Sequence, residues 1–160
     1  KKYTFGVFTV RFVILFSYVL YVILRDKKIP ESISATVYRF NDENKWIYTI
    51  ITFITAFLIC PYLFEQLKVF GLEFLSFFTV MGMLGTGVDP LIHGEKNVVH
   101  YISAIILGVS SQLIAYITFS PIMALWIPYV IYTLYMVNGK WNMFFFYLIM
   151  MLQLLLSLLL

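Results

Sequence analysis

Long apolar runs separated by short polar ones make up almost the whole chain. Residues 5–24, 46–64, 69–86, 98–119, 121–137 and 141–160 are apolar, and most charged side chains gather between them. Each run is close to the ~20 residues that carry a helix across a hydrocarbon core. Lipid offers backbone N–H and C=O groups no partner, so spanning segments must be helices or a closed barrel. A barrel needs strict alternation of polar and apolar positions, which the tract Leu-Leu-Leu-Ser-Leu-Leu-Leu over residues 154–160 lacks. The pattern therefore predicts an all-α fold, a polytopic transmembrane bundle of six helices, as one domain over residues 1–160. Pro128 falls in the middle of the fifth run and predicts a kink there.

Composition agrees with this pattern. Hydrophobic residues make up 62% of the 160 and charged residues 12%, and the mean hydropathy is +0.92. A soluble domain is roughly half apolar. Lys1 and Lys2 before the first run are reminiscent of a signal peptide, but the run exceeds an h-region of about 7 to 15 residues and ends in Arg25-Asp-Lys-Lys. It is expected to be a retained first helix. The lone Cys60 leaves no intrachain disulfide and is expected to be a small packed residue beside Pro61 at a helix end. Trp46, Tyr48, Tyr62, Tyr101 and Trp141 stand near run ends, where an interfacial aromatic belt is expected.

A net charge of +3, with no run of like charges, points away from nucleic acid. The expected partners are membrane lipid, a protein partner or a second copy of the chain. Six spans would place Arg25, Lys27, Lys28, Arg39, Lys45, Lys96 and Lys140 on one face, and Lys1, Lys2 and Lys68 on the other. The positive-inside rule then puts the long loop, residues 25–45, in the cytoplasm.

Polar residues within the runs are few. Arg11 and Glu73 lie at similar depths from the same face, so an intramembrane Arg11–Glu73 pair would reduce the cost of each charge, about 2.5–3.5 kcal/mol at a helix centre. Separate snorkelling to the headgroups is the other reading. Ser110, Ser111, Gln112 and Gln153 are expected to bond between helices rather than line a transport path. A small transporter or channel is the least supported function, since no acidic relay or inverted repeat is visible.

The stretch GTGVDPLIHGEKNVVH, residues 85–100, holds both histidines. Asp89, His93 and His100 could hold a metal ion, with Glu31 of the first loop on the same face. In one continuous helix the two histidines would stand about 10.5 Å apart along the axis, too far for one ion, so the backbone would have to fold back. The alternative is structural: Asp89 caps a short turn beginning at Pro90, Asn97 caps the fourth helix, and Gly85 and Gly87 ease the exit from the third. Gly82, Gly85 and Gly87 are not a phosphate loop, because no strand precedes them and no Lys-Ser or Lys-Thr follows.

The first loop reads Pro30-Glu-Ser-Ile-Ser-Ala-Thr-Val-Tyr38, and the fourth run opens His100-Tyr-Ile-Ser-Ala and continues to Ser111-Gln-Leu. These pieces resemble a group of small six-span bacterial membrane proteins of unknown function and, more loosely, the Frag1/DRAM/Sfk1 superfamily. The resemblance implies an integral protein of the bacterial inner membrane with Pro30, Ile33, Ser34 and His100 as pattern positions. It also implies a first loop outside or in a lumen, opposite to the reading from basic residues. A weaker resemblance is to the CREST membrane hydrolases, which hold zinc with Ser, Asp and His ligands. It would leave Ser34, Asp89, His93 and His100 as candidates, although six spans stand here in place of seven and the paired histidines of a last helix are missing. Two functions follow. One is a non-enzymatic lipid- or partner-binding membrane module without cofactor. The other is a zinc-dependent lipid hydrolase in which Asp89, His93 and His100 hold the ion and Ser34 or Glu31 assists proton transfer.

Overall fold

The computed structural model describes residues 2–27, 37, 45–92, 98–135 and 143–159. Among these the chain is all-helical: α1 (Lys2–Asp26), α2 (Trp46–Lys68), α3 (Phe74–Ile92), α4 (Val98–Phe119), a 3-10 segment (Ser120–Leu125), α5 (Trp126–Tyr135) and α6 (Met143–Leu159). The stretch from α4 through α5 is joined without a loop, which leaves five separate helical stretches. Two of the stretches, Trp46–Lys68 and Val98–Leu134, are long and apolar enough to cross a membrane.

The helix ends follow from local chemistry. Gly71, at φ +66°, closes α2: its N–H bonds Lys68 O at 3.1 Å, and the Leu72 N–H bonds Leu67 O at 3.1 Å. This 6→1 and 5→2 pair is a Schellman turn, and its usual apolar clasp is present in Leu67 and Leu72, which join the same cluster. As a result α2 runs four residues past the expected end at 64, and α3 begins at Phe74 rather than at 69. Cys60 and Pro61 consequently lie inside α2 and not at its end, with Cys60 half-buried. At the end of α1, Lys27 adopts φ +51° and its N–H bonds Ile23 O at 2.9 Å, a single-bond left-handed cap. Arg25 and Asp26 pair beside it at 2.6 Å, with the Arg25 guanidinium 5.9 Å from the Tyr21 ring centre.

The fifth run behaves differently from its pattern. Phe119 (φ −155°, ψ 80°) breaks α4, and the chain is 3-10 through Leu125. The Trp126 Nε1–H then donates to Gln112 Oε1 at 3.0 Å. Fourteen residues of straight helix would separate these side chains by about 21 Å, so the chain has folded back on α4. Pro128 is not a mid-helix kink but stands in the first turn of α5, where its missing N–H has no partner within that helix. In a continuous α-helix its ring would meet the carbonyl four residues earlier, and the 3-10 geometry removes that clash. The 10 residues of α5 reach about 15 Å, half a hydrocarbon core.

Consecutive helices α2, α3 and α4 pack as an antiparallel meander. Ala56, Ile59, Leu63 and Leu67 of α2 recur at helical spacing and bury against Leu75 and Met83 of α3, Ile114 of α4 and Leu154 of α6. A second cluster joins Tyr18, Val19 and Val22 of α1 to Tyr48 of α2. Val37, from the first loop, enters this cluster fully buried. The loop therefore contributes an apolar anchor as well as the expected polar residues. Tyr48 is buried beside Tyr18, with ring centres 6.1 Å apart, so it is not part of an interfacial belt; Trp46 and Tyr101 are exposed.

Polarity is inverted relative to a water-soluble bundle. Thr52, Thr55, Thr79, Ser103, Ser110 and Gln153 are buried, while Phe57 (66% exposed), Ile105 (63%), Phe77, Ile127 and Leu134 face outward. Several buried hydroxyls return a bond to their own helix, as Thr52 does to Tyr48 O at 2.8 Å and Thr55 to Ile51 O at 2.7 Å. Such bonds satisfy a hydroxyl without water.

Candidate functional site

The α3–α4 pair carries the stretch that the sequence singles out. Three close approaches set its register: the Thr79 hydroxyl donates to Ser110 Oγ at 2.9 Å, Gly82 faces Leu107, and Gly85 faces Ser103. As the α3 number rises by three, the α4 number falls by three or four, which makes the pair antiparallel. A Cβ on Gly82 would come within 2.7 Å of the Leu107 backbone nitrogen, and one on Gly85 within 2.8 Å of Ser103 Cβ. Glycine at these positions is what lets the two backbones touch. On its other side α3 meets α2, where a Cβ on Gly87 would lie 2.8 Å from Thr52 Cβ and the Thr49 hydroxyl donates to Gly87 O at 2.6 Å.

These contacts correct the turn reading of residues 85–94. Gly85 and Gly87 are interface residues inside α3, and the helix continues through Asp89 and Pro90 to Ile92. Asp89 is therefore not the cap of a turn starting at Pro90. Packing of Gly85 on Ser103 and of Gly87 on Thr52 holds the last turns of α3 helical on two sides, which outweighs the local signal of Asp-Pro. His100 lies in the first turn of α4, half-buried, its ring edge-on to Tyr101 at 6.1 Å. The register places residue 89 of α3 and residue 100 of α4 at the same end of the pair.

His93, Asn97, Glu31 and Ser34 lie outside the described residues, as do the side chains of Asp89 and Arg11. Glu73 is half-buried in the turn that precedes α3, so it is not four residues inside a helix as expected. Among the described residues no three His, Cys, Asp or Glu side chains come together as a metal site.

A second polar junction, at the fold-back after α4, joins side chains that the sequence marks as interhelical. Gln112 receives the Trp126 bond, and Gln153 Nε2 donates to Ile122 O at 3.2 Å from α6. Ser111 bonds Gly108 O of its own helix at 2.9 Å. Trp126 and Phe146, ring centres 5.0 Å apart, close the junction against α6.

The outer face of α2 carries an open groove of about 450 Å³ lined by Thr49, Ile50, Phe53, Ile54, Phe57 and Leu58. The Thr49 hydroxyl is engaged by Gly87 O, so the groove presents carbon. It suits an acyl chain or an apolar helix face better than a polar substrate. No family model, no curated protein and no solved structure matches this chain.

Proposed function

We propose that the chain is an integral membrane protein, a single-domain bundle of six membrane helices that binds lipid or a partner helix and catalyses no reaction. The observation that carries this reading is the inverted polarity: large apolar side chains such as Phe57, Ile105 and Leu134 are outside, and hydroxyls, glycines and Gln153 are inside. In lipid, helix association relies on close packing and polar contacts rather than on burial of apolar surface. The small-residue contact of α3 on α4 is of that kind. The resemblance of the first loop and of the start of α4 to small bacterial membrane proteins supports the bacterial inner membrane as the location.

The test is fractionation of the full chain expressed in bacteria. Resistance to alkaline carbonate extraction of the membranes is expected. Recovery of folded, monomeric chain in the soluble fraction would overturn the reading.

A zinc-dependent lipid hydrolase is the second reading, and what favours it is the α3–α4 register, which sets residue 89 level with residue 100. Elemental analysis of protein purified without chelator, wild type beside His93→Ala and His100→Ala, separates the two. The binding-module reading expects no stoichiometric metal in any sample. About one zinc per chain, lost in both variants, would overturn the cofactor-free reading, make His93 and His100 ligands, and call for a screen of lipid substrates.

A further inference from the structure

Gln153 is fully buried on α6, and its Nε2 donates to Ile122 O, yet its Oε1 is buried with no donor in reach. Gln112 on α4 presents the converse: its Oε1 accepts from Trp126, and its Nε2 is buried with no acceptor. Neither amide can be turned over to repair this. Exchanging N and O in Gln153 would set an oxygen against the Ile122 carbonyl, and in Gln112 it would set an NH2 against the indole N–H.

The two side chains converge. Gly108 of α4 lies against Met150 of α6, where an added Cβ would be 3.1 Å from Met150 Cε. Gln112 is one turn beyond Gly108, and Gln153 is one turn beyond Met150, so both continue the contacting faces. Both faces advance in the same direction, since Gln153 reaches the 3-10 segment that follows α4. The partners of the two amides, Ile122 O and the Trp126 ring, are close neighbours along the chain, Ile122 within the 3-10 segment and Trp126 at its end, about 8 Å apart along the axis.

One buried N–H and one buried carbonyl oxygen therefore border the α4–α6 contact inside the protein. Leaving either without a partner forfeits its hydration with nothing in return. A single water accepts from the one and donates to the other, and buried waters commonly occupy such sites. We propose that Gln112 Nε2 and Gln153 Oε1 hold one ordered water at the base of the fold-back, a polar joint between α4, the 3-10 segment and α6. Both atoms are shielded by protein, so the site stands independently of what surrounds the bundle.

The experiment is nuclear magnetic resonance of the full chain in deuterated detergent micelles with glutamine side chains labelled with 15N. Wild-type protein is expected to show a cross-peak between the Gln112 side-chain amide protons and a slowly exchanging water. Gln153→Met should abolish that cross-peak while the Trp126 indole resonance stays in place. Should Gln153→Met fail to fold, Gln153→Asn, which withdraws the acceptor by one carbon, takes its place with the same expected loss. No water cross-peak in wild type, a direct amide-to-amide bond between the two glutamines, or a cross-peak unchanged in the variant would each overturn the proposal.

Discussion

Gly85 of α3 stands directly against Ser103 of α4, and a Cβ at position 85 would overlap the serine hydroxyl. The obstacle is a short side chain on a neighbouring helix, so substitutions here set the packing cost against a gain in helix propensity of about 1 kcal/mol over glycine. Gly85→Leu should separate the helices and destabilise the bundle by about 1–3 kcal/mol, the usual range for overpacking. Gly85→Ala should cost less, and Gly85→Ala combined with Ser103→Gly should recover most of the loss. Unfolding of each variant by SDS in mixed micelles measures this. Equal stability of Gly85→Leu and wild type would contradict the interface.

Gly71 and Lys27 provide a matched pair of left-handed caps. Nothing lies within 4 Å of a Cβ at Gly71, so only its φ of +66° opposes a side chain there. Gly71→Ala should therefore cost about 1–2 kcal/mol, the left-handed penalty for an L-residue. Lys27 already bears that strain at φ +51°, and Lys27→Gly should raise stability by up to about 1 kcal/mol. Opposite signs for the two substitutions in the same unfolding assay are the outcome to look for.

The Thr79–Ser110 bond is the polar contact at the centre of the α3–α4 interface. A double-mutant cycle with Thr79→Val and Ser110→Ala should give a coupling near the ~0.6 kcal/mol average for such contacts, and below about 2 kcal/mol. Ser110 gives its own proton to Ile106 O at 2.7 Å, and Leu75 O, 2.9 Å from the Thr79 hydroxyl, competes with Ser110 Oγ for the single Thr79 proton. That second partner keeps the coupling small. Strict additivity of the two single variants would show that the interhelical bond contributes nothing.

Pro61 and Pro128 should respond differently to replacement by alanine. Pro61 interrupts α2 well inside it and denies the Phe57 carbonyl its partner, so Pro61→Ala should stabilise the chain by an amount approaching the ~3 kcal/mol helix-interior penalty. Pro128 is at the start of α5, and Pro128→Ala should change stability by no more than about 0.5 kcal/mol. A larger effect at 128 than at 61 would mean that the boundary between the 3-10 segment and α5 is misplaced.

The sequence pattern makes helices with long uninterrupted apolar runs easy to find, and α2 and α4 begin where their runs begin. It misplaces α3 by five residues at its start, because a Schellman turn is defined by two hydrogen bonds around Gly71, while Val69 and Phe70 look equally suited to a span. Gly85 and Gly87 suggest a helix exit in one dimension, and Gly82 stands near them with no role that the sequence assigns. Their use as contact points for Leu107, Ser103 and Thr52 depends on neighbours distant in sequence. Val37 is likewise one of several apolar residues scattered through the first loop, and nothing local marks it as the anchor. The break after Phe119 falls where the fourth and fifth runs part at Ser120, whereas the 3-10 geometry of residues 120–125 and the shortness of α5 leave no mark in a stretch that stays apolar. Gln112 and Gln153 stand out by residue type alone, whereas their shared attachment to one turn of chain requires coordinates.

The meander of α2, α3 and α4 brings together helices that are also adjacent along the chain, whereas α6 reaches past α5 to rest on α4. During synthesis the first three can associate as they emerge, each docking on its immediate predecessor. The Gly108–Met150 contact has to wait for about 40 further residues, counted along the printed chain. Assembly is thus ordered in time: truncation after Tyr135 should leave the α2–α4 core formed. It should also leave the flank of α4 around Gly108 uncovered, a surface on which quality-control proteases or a second unfinished chain would act.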